Sequence, residues 1–207
     1  MPTPMQQKKL ERKKKMEALV RNDIIESAIE LLLELGNKKF TMDRVAAGAG
    51  IAKGTVYLYF KNKDDLIKAV VAHCFAPLEE AYQRIINGKS APGEKLKQCI
   101  HISLEMTQSH KELFRQMQDA MFDTSDKYVG DPDSWYWFCI KLFASAFEEG
   151  VAQGVFKPMD TMKVAALFLD SINTLMSHRI LTQVTGTIEE DVELMMDLYL
   201  NGLSQPS

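Results

Sequence analysis

A chain of 207 residues with 46% hydrophobic and 26% charged side chains is long enough to bury a sizeable core, as one domain or as a small module joined to a larger one. Its three cysteines, odd in number and widely spaced, argue against a disulfide framework and for a reducing cytoplasm, and neither a signal peptide nor an apolar run able to cross a membrane is read. The net charge of −3 divides unevenly, with +5 on residues 1–70 and −8 on residues 71–207, so a basic front suited to a polyanion precedes an acidic remainder with another task.

Apolar residues recur at three- and four-residue intervals almost throughout, and the alternation of strands is missing, so an all-α fold is expected. Residues 1–15 contain the tract KKLERKKK and read as a basic, flexible arm that would add phosphate contacts if ordered on DNA. A first helix is predicted over Met16 to Leu35, with Leu19, Val20, Ile24, Ala28, Leu31, Leu32 and Leu35 inward and Gly36 closing it. Thr41 caps a short helix over Met42 to Ala49, and a glycine-containing bend leads to a second over Lys53 to Tyr59. Asn62 then caps a long helix running toward Asn87, with Asp64 and Asp65 favouring its first turn and Pro77 kinking it near His73 to Pro77.

Pro92 opens a helix to Ser109, and another spans Lys111 to Phe122. Asp131 followed by Pro132 starts one that ends at Ala152 before Gly154. The last two run from Thr161 to Val184 and from Ile188 to Leu203, the final one opened by a capping box of Thr187 and Glu190. The expected organisation is a helix-turn-helix head over 16–62 and a second helical domain over 63–207, with the long helix 63–87 linking them.

The stretch Gly48 to Phe60, GAGIAKGTVYLYF, resembles two kinds of phosphate loop at first sight. A triphosphate loop needs Gly-Lys-Ser/Thr, whereas the order here is Lys53, Gly54, Thr55. A dinucleotide loop needs an entering strand within a βαβ unit, whereas TMDRVAAG enters here with helical periodicity. A DNA-reading bend fits better. Val45 and Ala46 face inward, Gly50 supplies a left-handed turn, and Ile51, Val56 and Phe60 close the core. Lys53, Thr55, Tyr57 and Tyr59 remain as donors, and the two tyrosines are too far apart around one helix to both face inward.

The segment Thr41 to Leu66, TMDRVAAGAGIAKGTVYLYFKNKDDL, resembles the DNA-binding signature of TetR-family transcriptional regulators. The resemblance implies a homodimer that binds double-stranded DNA at a palindromic operator, and a C-terminal domain that binds a small-molecule inducer and dimerises through its last two helices. Repression is the implied mode, and a ligand-independent DNA-binding dimer is the alternative. Residue by residue it assigns DNA contacts to Thr41, Arg44, Lys53, Gly54, Thr55, Tyr57, Tyr59 and Lys63. Leu58 departs from the pattern, standing where members of the family often carry a polar or aromatic residue.

Beyond residue 88, Met106, Phe114, Met117, Met121, Tyr136, Phe143 and Phe168 are candidates to line a pocket for a small apolar or aromatic effector, although such stripes also build helical cores. The final helices carry more apolar surface than one buried face needs, and Phe168, Ile172, Leu175, Val192, Met195 and Leu198 are assigned to a dimer interface. Asp170, Asn173, His101 and Glu105 interrupt apolar runs, so each is exposed, paired or aimed at a ligand. The pair His101 and Glu105, with Cys99 and His110 nearby, completes no metal spacing, no catalytic signature is visible, and no metal, cofactor or enzymatic activity is expected.

Overall fold

The computed structural model describes residues 3–36, 39–122, 134–182 and 186–203. Its elements are helices: α1 (Pro4–Leu35), α2 (Met42–Gly48), α3 (Lys53–Tyr59), α4 (Lys63–Ile86), α5 (Pro92–Ser109), α6 (Lys111–Phe122), α7 (Trp135–Ala152), α8 (Thr161–Leu181) and α9 (Ile188–Leu203). None among the described residues is long and apolar enough to cross a membrane. Two compact units result, residues 1–74 with 116–120 and residues 75–115 with 121–207. The division therefore falls inside α4, not at its start, and α4 continues through Pro77.

Capping chemistry accounts for most helix starts. Thr41 Oγ1 accepts from the Arg44 N–H, Asn62 Oδ1 from Asp65 and Asp160 Oδ1 from Lys163. Thr187 and Glu190 close a reciprocal box at α9, at 2.8 and 3.1 Å. Gly36, Gly50 and Gly154 take positive φ where the chain leaves α1, α2 and α7.

The largest departure from the sequence reading is at the N-terminus. Helix α1 begins at Pro4, not at Met16, so the lysine tract is helical rather than a flexible arm. Thr3 and Gln6 form a capping box with Pro4 in the first helical position, which starts the helix despite the repulsion among the lysines. Leu19, expected inward, is exposed, and the buried residues of α1 are Ile24, Ile25, Ser27, Ala28 and Leu32. Ile51 is half-buried rather than part of the core. Helix α8 ends at Leu181, and Val184 lies outside the described residues, as do Asp131 and Pro132.

In the second unit, α5, α7, α8 and α9 surround an aromatic core. The Phe168 ring stands edge-on to Phe143 at 5.2 Å, to Phe147 at 5.6 Å and to Tyr199 at 5.2 Å. Burying each phenylalanine contributes about 1.5 to 3 kcal/mol, and edge-to-face pairing adds to that. The polar side chains of Tyr82, Ser103 and Lys95 are paired inside. Tyr82 donates to Ser103 Oγ at 2.5 Å while Ser103 donates to the Cys99 carbonyl, and the Lys95 ammonium, almost wholly buried, meets Glu149 at 2.5 Å. Arg179 ties α8 to the start of α9 through Asp191 at 2.6 Å and the carbonyls of Gly186 and Thr187.

This core corrects the interface assignment. Phe168, Ile172, Val192 and Met195 are buried within the chain itself and are not available to a second copy. Leu175 is half-buried, and Leu198 is exposed together with Leu167 and Leu194.

Candidate nucleic-acid interface

Helix α2 is held on α1 by Val45 and Ala46, both buried, and by Ser27, whose hydroxyl donates to the Val45 carbonyl at 3.1 Å. Gly48 lies directly against that hydroxyl, leaving no room for a Cβ. The bend follows at once. Gly50 adopts φ +65°, and the Ile51 N–H turns back to the Ala46 carbonyl at 3.0 Å. Helix α3 then seals Val56 and Phe60 into the core and turns its other side to solvent.

That outer side carries Lys53, Gly54, Tyr57 and Leu58 exposed, with Thr55 and Tyr59 half-buried. A Cβ at Gly54 would meet nothing within 4 Å, so this position leaves the helix backbone open to a close approach. Leu58 is 83% exposed, the most open large apolar side chain of α3, and is suited to a thymine methyl rather than a phosphate. Thr41 and Arg44 are exposed at the start of α2, and the Arg44 guanidinium is turned to the Lys39 carbonyl at 3.3 Å. Lys63, half-buried at the start of α4, lies over the Phe40 ring with its ammonium 5.4 Å from the centroid.

One member of this surface escaped the sequence reading. Asp43 of α2 meets the Lys53 ammonium at 2.7 Å across the bend. The hydrogen bond and charge of Asp43 hold the Lys53 pKa above the ordinary lysine value. The two are ten positions apart, and only the crossing of α2 and α3 joins them. A carboxylate in the first turn of α2 was visible, but its partner was not.

The effector residues expected in the second unit divide. Phe143 and Phe168 belong to the aromatic core, with their rings edge-on to each other at 5.2 Å. Phe114 is buried edge-on to Phe75 at 5.3 Å, and the Trp135 ring lies on the same Phe75 at 4.6 Å. At this cluster the buried Ser134 Oγ and Trp135 Nε1 have no hydrogen-bond partner among the described residues, a feature that sequence patterning missed. Met106 and Tyr136 are half-buried, and Tyr136 donates to Asp170 at 3.4 Å, while the side chains of Met117 and Met121 lie outside the described residues. His101 stands between Glu105 and Glu189 at 3.3 and 3.5 Å, and among the described residues no group of three side chains suited to a metal is present.

Residues 24–70 match the family model described as bacterial regulatory proteins, tetR family. Among curated proteins the chain is similar to the fatty acid metabolism regulator protein of Bacillus subtilis, 31% identical over 113 residues that cover 47% of this chain and 58% of that protein. It is also similar to the HTH-type transcriptional repressor KstR2 of Mycolicibacterium smegmatis, 26% identical over 144 residues, 67% of this chain and 68% of that one. The chain thus spans little more than half the length of the first relative and about two thirds of the second. Among solved structures, a TetR transcription regulator from Haloarcula marismortui shares the fold with a TM-score of 0.72 at 17% identity, over 91% of this chain and 100% of that one. The matched residues are those that build the α2–bend–α3 surface, so residues 24–70 form a helix-turn-helix segment of the kind that bacterial regulatory proteins of the tetR family carry.

Proposed function

We propose that the chain acts as a homodimeric, ligand-responsive repressor whose two heads bind the half-sites of a palindromic operator. The observation that carries the DNA reading is the outer side of α3. Its donors Lys53, Thr55 and Tyr57 flank a backbone left open at Gly54, on a helix whose other side is locked by Val56 and Phe60. In this reading α3 enters the major groove, Thr41 and Arg44 at the start of α2 and Tyr59 and Lys63 beside the α3–α4 turn hold phosphates, and the half-sites lie about 34 to 36 Å apart or at a related spacing.

Dimerisation through α8 and α9 is supported by Leu167, Leu194 and Leu198, each more than half exposed on the single chain. The effector reading is supported by Ser134 Oγ and Trp135 Nε1. Two buried donors without partners among the described residues, on Trp135 in ring contact with Phe75 and on the serine before it, suit an apolar molecule carrying a hydrogen-bond acceptor. The name of the first relative, a fatty acid metabolism regulator, makes long-chain acyl compounds the first to test.

Selection of bound fragments from a random duplex pool tests the DNA reading. The expected product is a palindrome bound with steep salt dependence, and the absence of salt-dependent, sequence-selective binding would overturn it. An acyl compound that raises the melting temperature should also weaken binding to the selected duplex. Stabilisation with no change in DNA affinity would favour a ligand-independent regulator.

A further inference from the structure

We propose that the helical extension of α1, residues 4–19, is a second, sequence-independent DNA-binding surface that grips phosphates flanking each half-site. The inference rests on the DNA reading above but assigns the electrostatic part of binding to a different element. Residues 16–70, which include the entire helix-turn-helix, carry eight basic and eight acidic side chains and are neutral. The whole +5 of the N-terminal third sits on residues 4–15, where Lys8, Lys9, Arg12, Lys13, Lys14 and Lys15 stand against Glu11 alone. A neutral head brings little net counterion release to a polyanion, so the extension holds most of that capacity.

Three features of the extension fit this use. It is a continuous part of α1, so its charges are displayed on a rod rather than on a coil, and Lys8 lies about 24 Å along the axis from Ile24, the first buried residue. Every residue from Thr3 to Leu19 is exposed, so no packing against the head holds it. Lys8, Arg12 and Lys15 share one stripe, with Lys9 and Lys13 beside it, and pairs of like charge four apart weaken the helix until an anion neutralises them. Just beyond the extension, the Arg21 guanidinium of α1 stands 5.1 Å from the Phe60 ring at the C-terminal end of α3.

DNA is favoured over a lipid surface by the distribution of apolar side chains. Met5, Met16 and Leu19 lie on the same side of the helix as the basic stripe and Leu10 on the opposite one, so no segregated apolar face is available to enter a membrane.

The test compares the full chain with a variant in which Lys8, Lys9, Arg12, Lys13, Lys14 and Lys15 are all replaced by glutamine, a good helix former, with circular dichroism verifying that helicity is kept. Both are titrated by fluorescence anisotropy against a selected duplex with 10-bp flanks, the same duplex without flanks, and a mixed-sequence duplex, between 50 and 200 mM salt. Each phosphate that the variant no longer neutralises should reduce the salt slope by about 0.9, which is about 3.5-fold in affinity over this range, and the expected reduction corresponds to two or more phosphates per head. The effect should appear on the flanked and mixed-sequence duplexes and shrink on the unflanked one, with the ranking of selected sequences unchanged.

An unchanged slope on the mixed-sequence duplex would overturn the proposal, whether or not an operator is found, and so separates it from the DNA reading. A change in sequence ranking would overturn it as well. So would binding of the parent to phosphatidylserine vesicles that the variant loses while its DNA slope stays intact.

Discussion

Replacing Asp43 by asparagine should tighten DNA binding and steepen its salt dependence. In the free protein the Lys53 ammonium and the Asp43 carboxylate are 2.7 Å apart, with side chains 57% and 63% exposed. A lysine that reaches a phosphate while still paired to a carboxylate releases little net counterion. Asparagine keeps the shape and removes the charge, so Lys53 can neutralise one phosphate in full per head, and with two heads the slope of log affinity against log salt steepens by about 1.8. Between 50 and 200 mM salt that adds about a 12-fold loss of affinity to the parent's own, so the variant's advantage is greatest at low salt and fades as salt rises. Anisotropy titrations with a selected duplex measure this directly. Adding Lys53→Gln to the Asp43→Asn chain should remove the advantage. An unchanged slope, or weaker binding at every salt concentration, would refute the idea that Asp43 restrains Lys53.

Other expectations concern the second unit. Glu149→Gln leaves the buried Lys95 ammonium without its counter-charge and should cost about 3 kcal/mol, the lower end of the range for a broken buried pair because Glu149 is partly open to water. Lys95→Met should cost less than Glu149→Gln, and urea unfolding followed by fluorescence of Trp135 and Trp137, both on α7, can compare them; equal costs would contradict the burial asymmetry. Leu194→Glu with Leu198→Glu should leave the folded chain intact but yield monomers in sedimentation equilibrium and weaken operator binding; a persisting dimer would move the interface elsewhere. Burial raises the Cys74 pKa from the ordinary thiol value of 9.0 to about 11 and moves Cys99 and Cys139 further in the same direction. The fold thus favours the neutral thiols, so their contribution to stability is complete below about pH 9; that of Cys74 is lost as the pH rises toward 11, while those of Cys99 and Cys139 go on falling beyond it, because the unfolded chain releases these protons first. Melting temperatures measured from pH 8 to 11 should fall, and replacing Cys74 by serine should flatten the early part of the decline.

Much of the fold was legible because helix ends are written locally. The starts of α2, α4, α5 and α9 follow from Thr41, Asn62, Pro92 and the pair Thr187 and Glu190, each within one turn of the backbone groups it serves. The early start of α1 was equally local. Thr3, Pro4 and Gln6 were in plain view, but the run of lysines after them read as a coil signal. The placement of α3 was legible too, because Gly50, Val56 and Phe60 leave few other ways for it to lie.

The faces of α8 and α9 were not legible. Both helices carry apolar residues around much of their circumference, so periodicity gives no preference between an inward and an outward stripe. Only the packing of Phe168 against Phe143, Phe147 and Tyr199 decides that Ile172, Val192 and Met195 go inside and Leu167, Leu194 and Leu198 stay out. The Asp43–Lys53 pair and the unpartnered Ser134 and Trp135 atoms are of the same kind. By itself the sequence determined where helices begin, how α2 bends into α3 and where positive charge accumulates, since these depend on groups a few residues apart or on composition. The tertiary structure decided which apolar side chains are spent in the core and which charges meet, because those outcomes depend on contacts between elements that no local pattern records.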